Sequence, residues 1–263
     1  MGKSLLLIYS FLLVLALTAC QRVIDINVGD ASSLIVIEGN ITNVTGVQTV
    51  TVGRSVPYDS ANVYPAVSKA TVVLGNGFSN YVMKESEPGR YMLPNFKGKV
   101  GQTYSLMVIT ADATYTARSV MPAVVQLDSL SISAISVGNK SVKTVSVYYH
   151  DPPEAENQYR FILYVNGVQV KKVFASDDEF TNGRLVNTTL YQDDIKINTG
   201  DKVGVEMQCV DKKVFTYWYS LSQQGGNGFA NSATPSNPTS NISNGALGYF
   251  SAHTVQHASV TVP

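Results

Sequence analysis

Charge is scarce in this chain and evenly divided. Only 14% of its 263 residues are Asp, Glu, Lys or Arg, with 19 basic against 19 acidic. That balance supplies neither the basic footprint that neutralises nucleic-acid phosphates nor a polybasic patch for anionic lipid, so no nucleic-acid partner is expected. Cysteine is scarcer still: two residues, Cys20 and Cys209, make no disulfide framework. Beyond the amino terminus no apolar run approaches the roughly 20 residues that a membrane-spanning helix needs. The signatures of common hydrolases and nucleotide enzymes (His-Glu-x-x-His, Gly-x-Ser-x-Gly, a glycine-rich phosphate loop) are missing too, and no cofactor is expected. A serine triad assembled from distant residues would escape such a search.

The one long apolar run lies at the start. Lys3 gives a short positive beginning, Leu5 to Leu17 is almost unbroken apolar sequence, and the small residues Thr18 and Ala19 precede Cys20. That is the order of a secretory signal over residues 1–19, too short to serve as a good membrane span. Leu17-Thr18-Ala19-Cys20 resembles the lipobox of bacterial lipoproteins, in which the cysteine is alkylated with diacylglycerol and becomes the first residue after cleavage. Each buried methylene adds roughly 0.8 kcal/mol, so two or more acyl chains anchor stably where one would not. Cys20 is thus the expected lipidation site, followed by a tether over residues 20–33. Cys209 then has no partner. It alternates onto one face with Val203, Val205 and Met207, which reads as a buried strand thiol.

The rest is β-forming. Val, Thr, Ser, Tyr and Asn are abundant, which suits strands and polar turns better than helices. Leu34 to Gly39, Thr49 to Val52, Ala70 to Leu74 before the turn pair Asn76-Gly77, a short strand opened by Gly89-Arg90-Tyr91, Gly101 to Ile109 and Tyr115 to Val120 are short strands punctuated by glycine and proline. They predict an antiparallel β-sandwich over residues 34–122. A second β-rich domain follows over residues 123–263. It holds a strand at Val142 to Tyr149, a hairpin of Tyr159 to Val165 with Val168 to Phe174 turning at Asn166-Gly167, and the Val203 to Cys209 strand. Asp211 is placed to cap one short helix carrying Val214, Tyr217, Trp218 and Leu221, with Gly225-Gly226 as its stop. Residues 225–245, rich in Gly, Asn, Ser and Pro, read as an ordered loop leading to a last strand at Gly245 to Phe250. The fold class is therefore mainly β, an Ig- or transthyretin-like sandwich followed by a β-rich domain with one short helix.

Candidate chemistry is thin. His253 and His257 lie four apart but in strand-like sequence, and His150 stands alone. Asp177, Asp178 and Glu179, and the pair Asp193-Asp194, could offer oxygen ligands to calcium or a glycosidase pair, though both clusters fall in turns. Fifteen tyrosines against one tryptophan are more informative. Aromatic rings with a polar tip suit interfaces and sugar faces, and equally the rim of a small core.

Ala70-Thr71-Val72, Gly89-Arg90-Tyr91 and Gly101 to Leu106 resemble the transthyretin-like and carboxypeptidase-regulatory sandwiches, modules that bind or space rather than catalyse. A longer set of blocks resembles a family of uncharacterised Bacteroidetes lipoproteins known only as a domain of unknown function. These are Cys20 with its tether, Val36 to Asn43, the strand starts at Ala70, Gly89 and Gly101, Tyr217-Trp218, and above all Ser240 to Phe250. The resemblance implies an outer-membrane lipoprotein that accompanies a TonB-dependent receptor without catalysing a reaction. Tyr217, Trp218, Asn241, Asn244, Tyr249 and Phe250 are the residues expected to form its binding surface. Gln21-Arg22-Val23-Ile24-Asp25 departs from the acidic residues that often follow the cysteine in surface-displayed lipoproteins, which leaves both faces of the outer membrane open. The alternatives are an independent carbohydrate- or peptide-binding lipoprotein and a hydrolase with a dispersed site.

Overall fold

Strand β1 (Ile35–Thr42) sets the pattern of the computed structural model, which describes residues 33–56, 63–137, 140–224 and 236–263. Ile35, Ile37 and Ile41 turn inward, while Glu38, Asn40 and Thr42 turn to the other face. A pleated strand sends successive side chains to opposite sides, and each buried isoleucine stabilises by roughly 1.5–3 kcal/mol, so this alternation fixes which face is core. The same rule builds β2 (Gly46–Arg54), β3 (Thr71–Gly75), β4 (Asn80–Glu87), β5 (Arg90–Phe96), β6 (Thr103–Ile109) and β7 (Thr114–Val120). Antiparallel pairing runs β1-β2-β5-β4-β3-β6-β7. Within β4 the partner changes: Asn80 to Met83 pair with β3, and Lys84 to Glu87 pair with β5. One core lies between the two arms, with Ile37, Val50 and Tyr91 meeting Val72, Leu106 and Tyr115.

The later strands are β8 (Leu127–Val137), β9 (Lys140–His150), β10 (Gln158–Val165), β11 (Val168–Gln169), β12 (Phe174–Asp177), β13 (Leu185–Leu190), β14 (Lys202–Val210) and β15 (Leu247–Thr261). A three-stranded sheet, β13-β9-β8, packs Val145, Val147 and Tyr149 against Phe161 and Leu163 of β10 and Val205 and Met207 of β14, forming a second core. Cys209 belongs to that core, and burial pushes its thiol pKa up. The fold is mainly β and in two parts.

The parts share one sheet. β15 pairs parallel with β1 from Leu247 to His253 and then antiparallel with β14 from Thr254 to Thr261. A twelve-stranded ladder therefore runs across the division expected at residues 122 and 123. Gly248 permits the close approach: its φ is +90°, and a Cβ there would stand 2.1 Å from the Ile37 carbonyl oxygen.

The single helix among the described residues, α1 (Lys212–Gln224), starts where Asp211 predicts. One carboxylate oxygen accepts from the Lys213 and Val214 amides, each at 3.0 Å, which satisfies donors that a helix start leaves open. The other accepts from the Ser119 hydroxyl and the Val120 amide, so the same residue ties the helix to the end of β7. Gly225-Gly226, the expected stop, lies outside the described residues, as do the signal, Cys20 and the tether through residue 32.

One expectation needs correcting. The hairpin at Asn166-Gly167 forms, with φ of 51° and 81°, but its second strand is not continuous to Phe174. The Lys171 and Lys172 amides bond the Asp194 carboxylate at 2.7 and 3.1 Å instead of β10, and pairing resumes only with β12. Strands β4, β8, β12 and β13 have no counterpart in the expectations from sequence. Residues 225–235 of the expected loop lie outside the described residues. The remainder is fixed by an Ile242–Ala117 bridge and by the Ser243 amide bonding the Thr116 carbonyl at 2.8 Å.

Candidate functional site

Beyond the cores, one face of the long sheet is polar. On β1 it presents Glu38, Asn40 and Thr42; on β15, Tyr249, Ser251 and His253; on β14, Glu206 and Gln208; on β10, Arg160. Helix α1 packs here, because Val214 and Trp218, four residues apart, are its buried positions. Trp218 meets Tyr249 edge-on at 4.9 Å and Tyr217 at 5.2 Å, and Tyr217 lies 5.1 Å from Tyr249. The Arg160 guanidinium carbon sits 3.4 Å from the centre of the Trp218 ring. Such a desolvated cation over an indole face is worth about 2 kcal/mol.

Arg160 also donates to the Gln208 side-chain oxygen at 3.3 Å, and among the described residues no carboxylate comes within 4.0 Å of it. Burial lowers its pKa, and the guanidinium stays charged all the same. That charge conditions its neighbours. Burial raises the pKa of Glu38 while Arg160 pulls it back. Tyr217 is pushed up to about 12, by burial first and then by Glu38. His253 is held down at about 3, by burial first and then by Arg160.

Beside this cluster opens a cleft of about 470 Å³. Its floor is a row across three adjacent strands in strict register: Glu38 of β1 opposite Thr51 of β2, and Thr51 opposite Arg90 of β5. Tyr217 and Pro238 form one side, and Tyr64, 63% exposed, stands at the other. Arg54 lies at the margin, held by an ion pair with Asp112 at 2.8 Å. A larger groove of about 890 Å³ runs between the outer face of β3, β6 and β7 and residues 239–243. Its lining carries no aromatic ring, and Asn241 on its wall is spent on the backbone. The smaller cleft, where an acid, a guanidinium, a hydroxyl and two aromatic rings converge, is the candidate site.

The six residues expected as a binding surface divide sharply. Tyr217 lines the cleft. Trp218 and Tyr249 are buried behind it, and Phe250 is fully buried in the first core, so these three are supports rather than surface. Asn241 accepts from the Phe250 amide at 2.9 Å and donates to its carbonyl at 2.7 Å. Asn244 donates to the Thr114 carbonyl at 2.6 Å and takes a φ of 58°. Both asparagines shape the loop instead of meeting a ligand. Glu38, Thr51, Arg90 and Tyr64 are additions; the signal for Glu38 is its place as the polar residue between buried Ile37 and Ile41.

The acidic clusters do not gather into ligand sets. The buried Asp178 carboxylate accepts from the Asn157 amide at 2.8 Å, while Asp177 and Glu179 are exposed. Among the described residues no group of three or more His, Cys, Asp or Glu could hold a metal ion. The histidines are scattered too. His150 lies 3.4 Å from Asp128 on the exterior and His257 is 3.9 Å from Glu206. His253 shares a hydrogen bond of 2.9 Å with Ser251, but both are buried and neither lines the cleft or the larger groove.

No curated protein matches this chain. The model of a family described as a domain of unknown function, DUF4249, matches residues 21–259, and the chain belongs to that family.

Proposed function

We propose that this protein is a lipid-anchored, non-catalytic binding protein of the bacterial outer membrane that accompanies a TonB-dependent receptor. The cleft over Glu38, Thr51 and Arg90 carries the reading: it is open and lined by a carboxylate, hydroxyls, guanidinium groups and two tyrosines, groups suited to holding a ligand. The Ser251–His253 pair has the hydrogen bond that a nucleophile needs, yet both residues are buried and neither lines the cleft. The export signal, the lipobox at Cys20 and the family resemblance support the anchor and the receptor.

The test is affinity recovery of the tagged, lipidated protein from detergent-solubilised outer membranes beside a Cys20→Ala control. Stoichiometric recovery of a β-barrel receptor, lost in the control, is the expected result. Recovery of the protein alone overturns the accessory role.

A further inference from the structure

We propose that the cleft over Glu38, Thr51 and Arg90 is a saccharide site, taking a neutral, hydroxyl-rich ligand against the side of Tyr217. This rests on the non-catalytic binding role and names its ligand. The floor carries three kinds of hydrogen-bonding group in line: an acceptor-only carboxylate, a hydroxyl that does both, and a donor-only guanidinium. Neighbouring strands lie about 4.8 Å apart, so the row spans roughly 10 Å. Sugar hydroxyls donate and accept at once, and can therefore satisfy all three positions with one ligand. An anion would meet Glu38, a cation would meet Arg90 and Arg54, and an apolar ligand would strip water from both charges with nothing in return.

The aromatic groups fit the same ligand. Tyr217 presents a flat apolar ring with a polar tip, and contacts with Trp218 and Tyr249 at 5.2 and 5.1 Å hold it in place before a ligand arrives. A ring ordered beforehand loses little conformational freedom on binding. Tyr64 faces solvent on the other side. An extended peptide fits less well. It commonly binds by adding a strand, and β1, β2 and β5 are each paired on both sides, so the floor offers no free backbone edge.

The experiment exposes the full lipidated protein, in detergent, to an array of neutral and uronate-containing oligosaccharides, then measures affinity for retained neutral chains by calorimetry. Binding of at least one neutral oligosaccharide is expected. Tyr217→Ala should weaken it about tenfold, which corresponds to about 1.4 kcal/mol. Glu38→Gln, which keeps the side chain's shape, and Arg90→Ala, at an exposed position, should weaken it severalfold with an unchanged far-UV circular dichroism spectrum. Retention of uronate chains alone, retention of nothing, or binding indifferent to all three substitutions overturns the assignment. A receptor recovered without sugar binding sinks this proposal alone, sugar binding without a receptor sinks only the accessory role, and cleavage of the bound sugar sinks the non-catalytic reading.

Discussion

Replacing Arg160 with methionine and Trp218 with leucine, singly and together, measures what holds helix α1 on the sheet. Trp218 is 9% exposed and touches two tyrosine rings as well as the guanidinium. Trp218→Leu should cost about 3 kcal/mol, toward the low end for a large aromatic because leucine fills part of the space. Arg160→Met removes the cation–aromatic attraction of about 2 kcal/mol but also spares the burial of a charge that has no carboxylate within 4.0 Å among the described residues, leaving a net loss of about 1 kcal/mol. Each single change already breaks the contact, so the double variant should lose about 1–2 kcal/mol less than the sum. Urea unfolding followed by far-UV circular dichroism gives the four stabilities; fluorescence does not serve, because Trp218 is the chain's single tryptophan. The pair is buried, so the coupling should survive high salt. Additivity within about 0.5 kcal/mol would refute the stacking account.

Gly248→Ala should destabilise by at least about 3 kcal/mol or prevent folding, since φ is +90° and the new Cβ would strike the Ile37 carbonyl; its yield and thermal midpoint read this out. Asp211→Ala should cost about 1–2 kcal/mol by urea unfolding, because the helix cap and the tie to β7 go together, while Asp211→Asn should keep most of the cap. His253 ties stability to pH. The unfolded chain takes its proton near 6.5, whereas the folded one refuses it until about 3. That contribution is full above pH 6.5 and is lost as pH falls through the window, about 4–5 kcal/mol in all. His253→Gln should flatten this limb in denaturant titrations between pH 7 and 4; an unchanged slope would count against a buried neutral imidazole.

Local features of the fold were legible in the sequence, and long-range ones were not. The strand at β1, the Asn166-Gly167 turn and the Asp211 cap each depend on neighbours a few residues away, and each forms where expected. Strand β4 was hidden because Asn-Tyr-Val-Met-Lys-Glu-Ser-Glu is mostly exposed and divides its pairing between two partners. The parallel pairing of β15 with β1 joins positions some two hundred residues apart, exemplified by the Asn40–Tyr249 side-chain bond at 3.2 Å, and no local signal announces it. The site shows the same division. The aromatic residues on α1 and β15 were visible as a group, but helical spacing turns Trp218 inward, and strand pairing puts Tyr249 behind Tyr217. The Glu38, Thr51 and Arg90 row exists only once three strands are in register, so its parts looked like ordinary solvent-facing residues.

Anchoring through Cys20 underlies the proposed role at the membrane, and intact-mass spectrometry of the protein purified from the bacterial envelope tests it most directly. The expected mass is that of a chain starting at Cys20 and carrying diacylglycerol on its thiol, with Cys20→Ala giving no such species. A chain that retains residues 1–19, or one that starts at an unmodified Cys20, would contradict the anchor and with it the outer-membrane role.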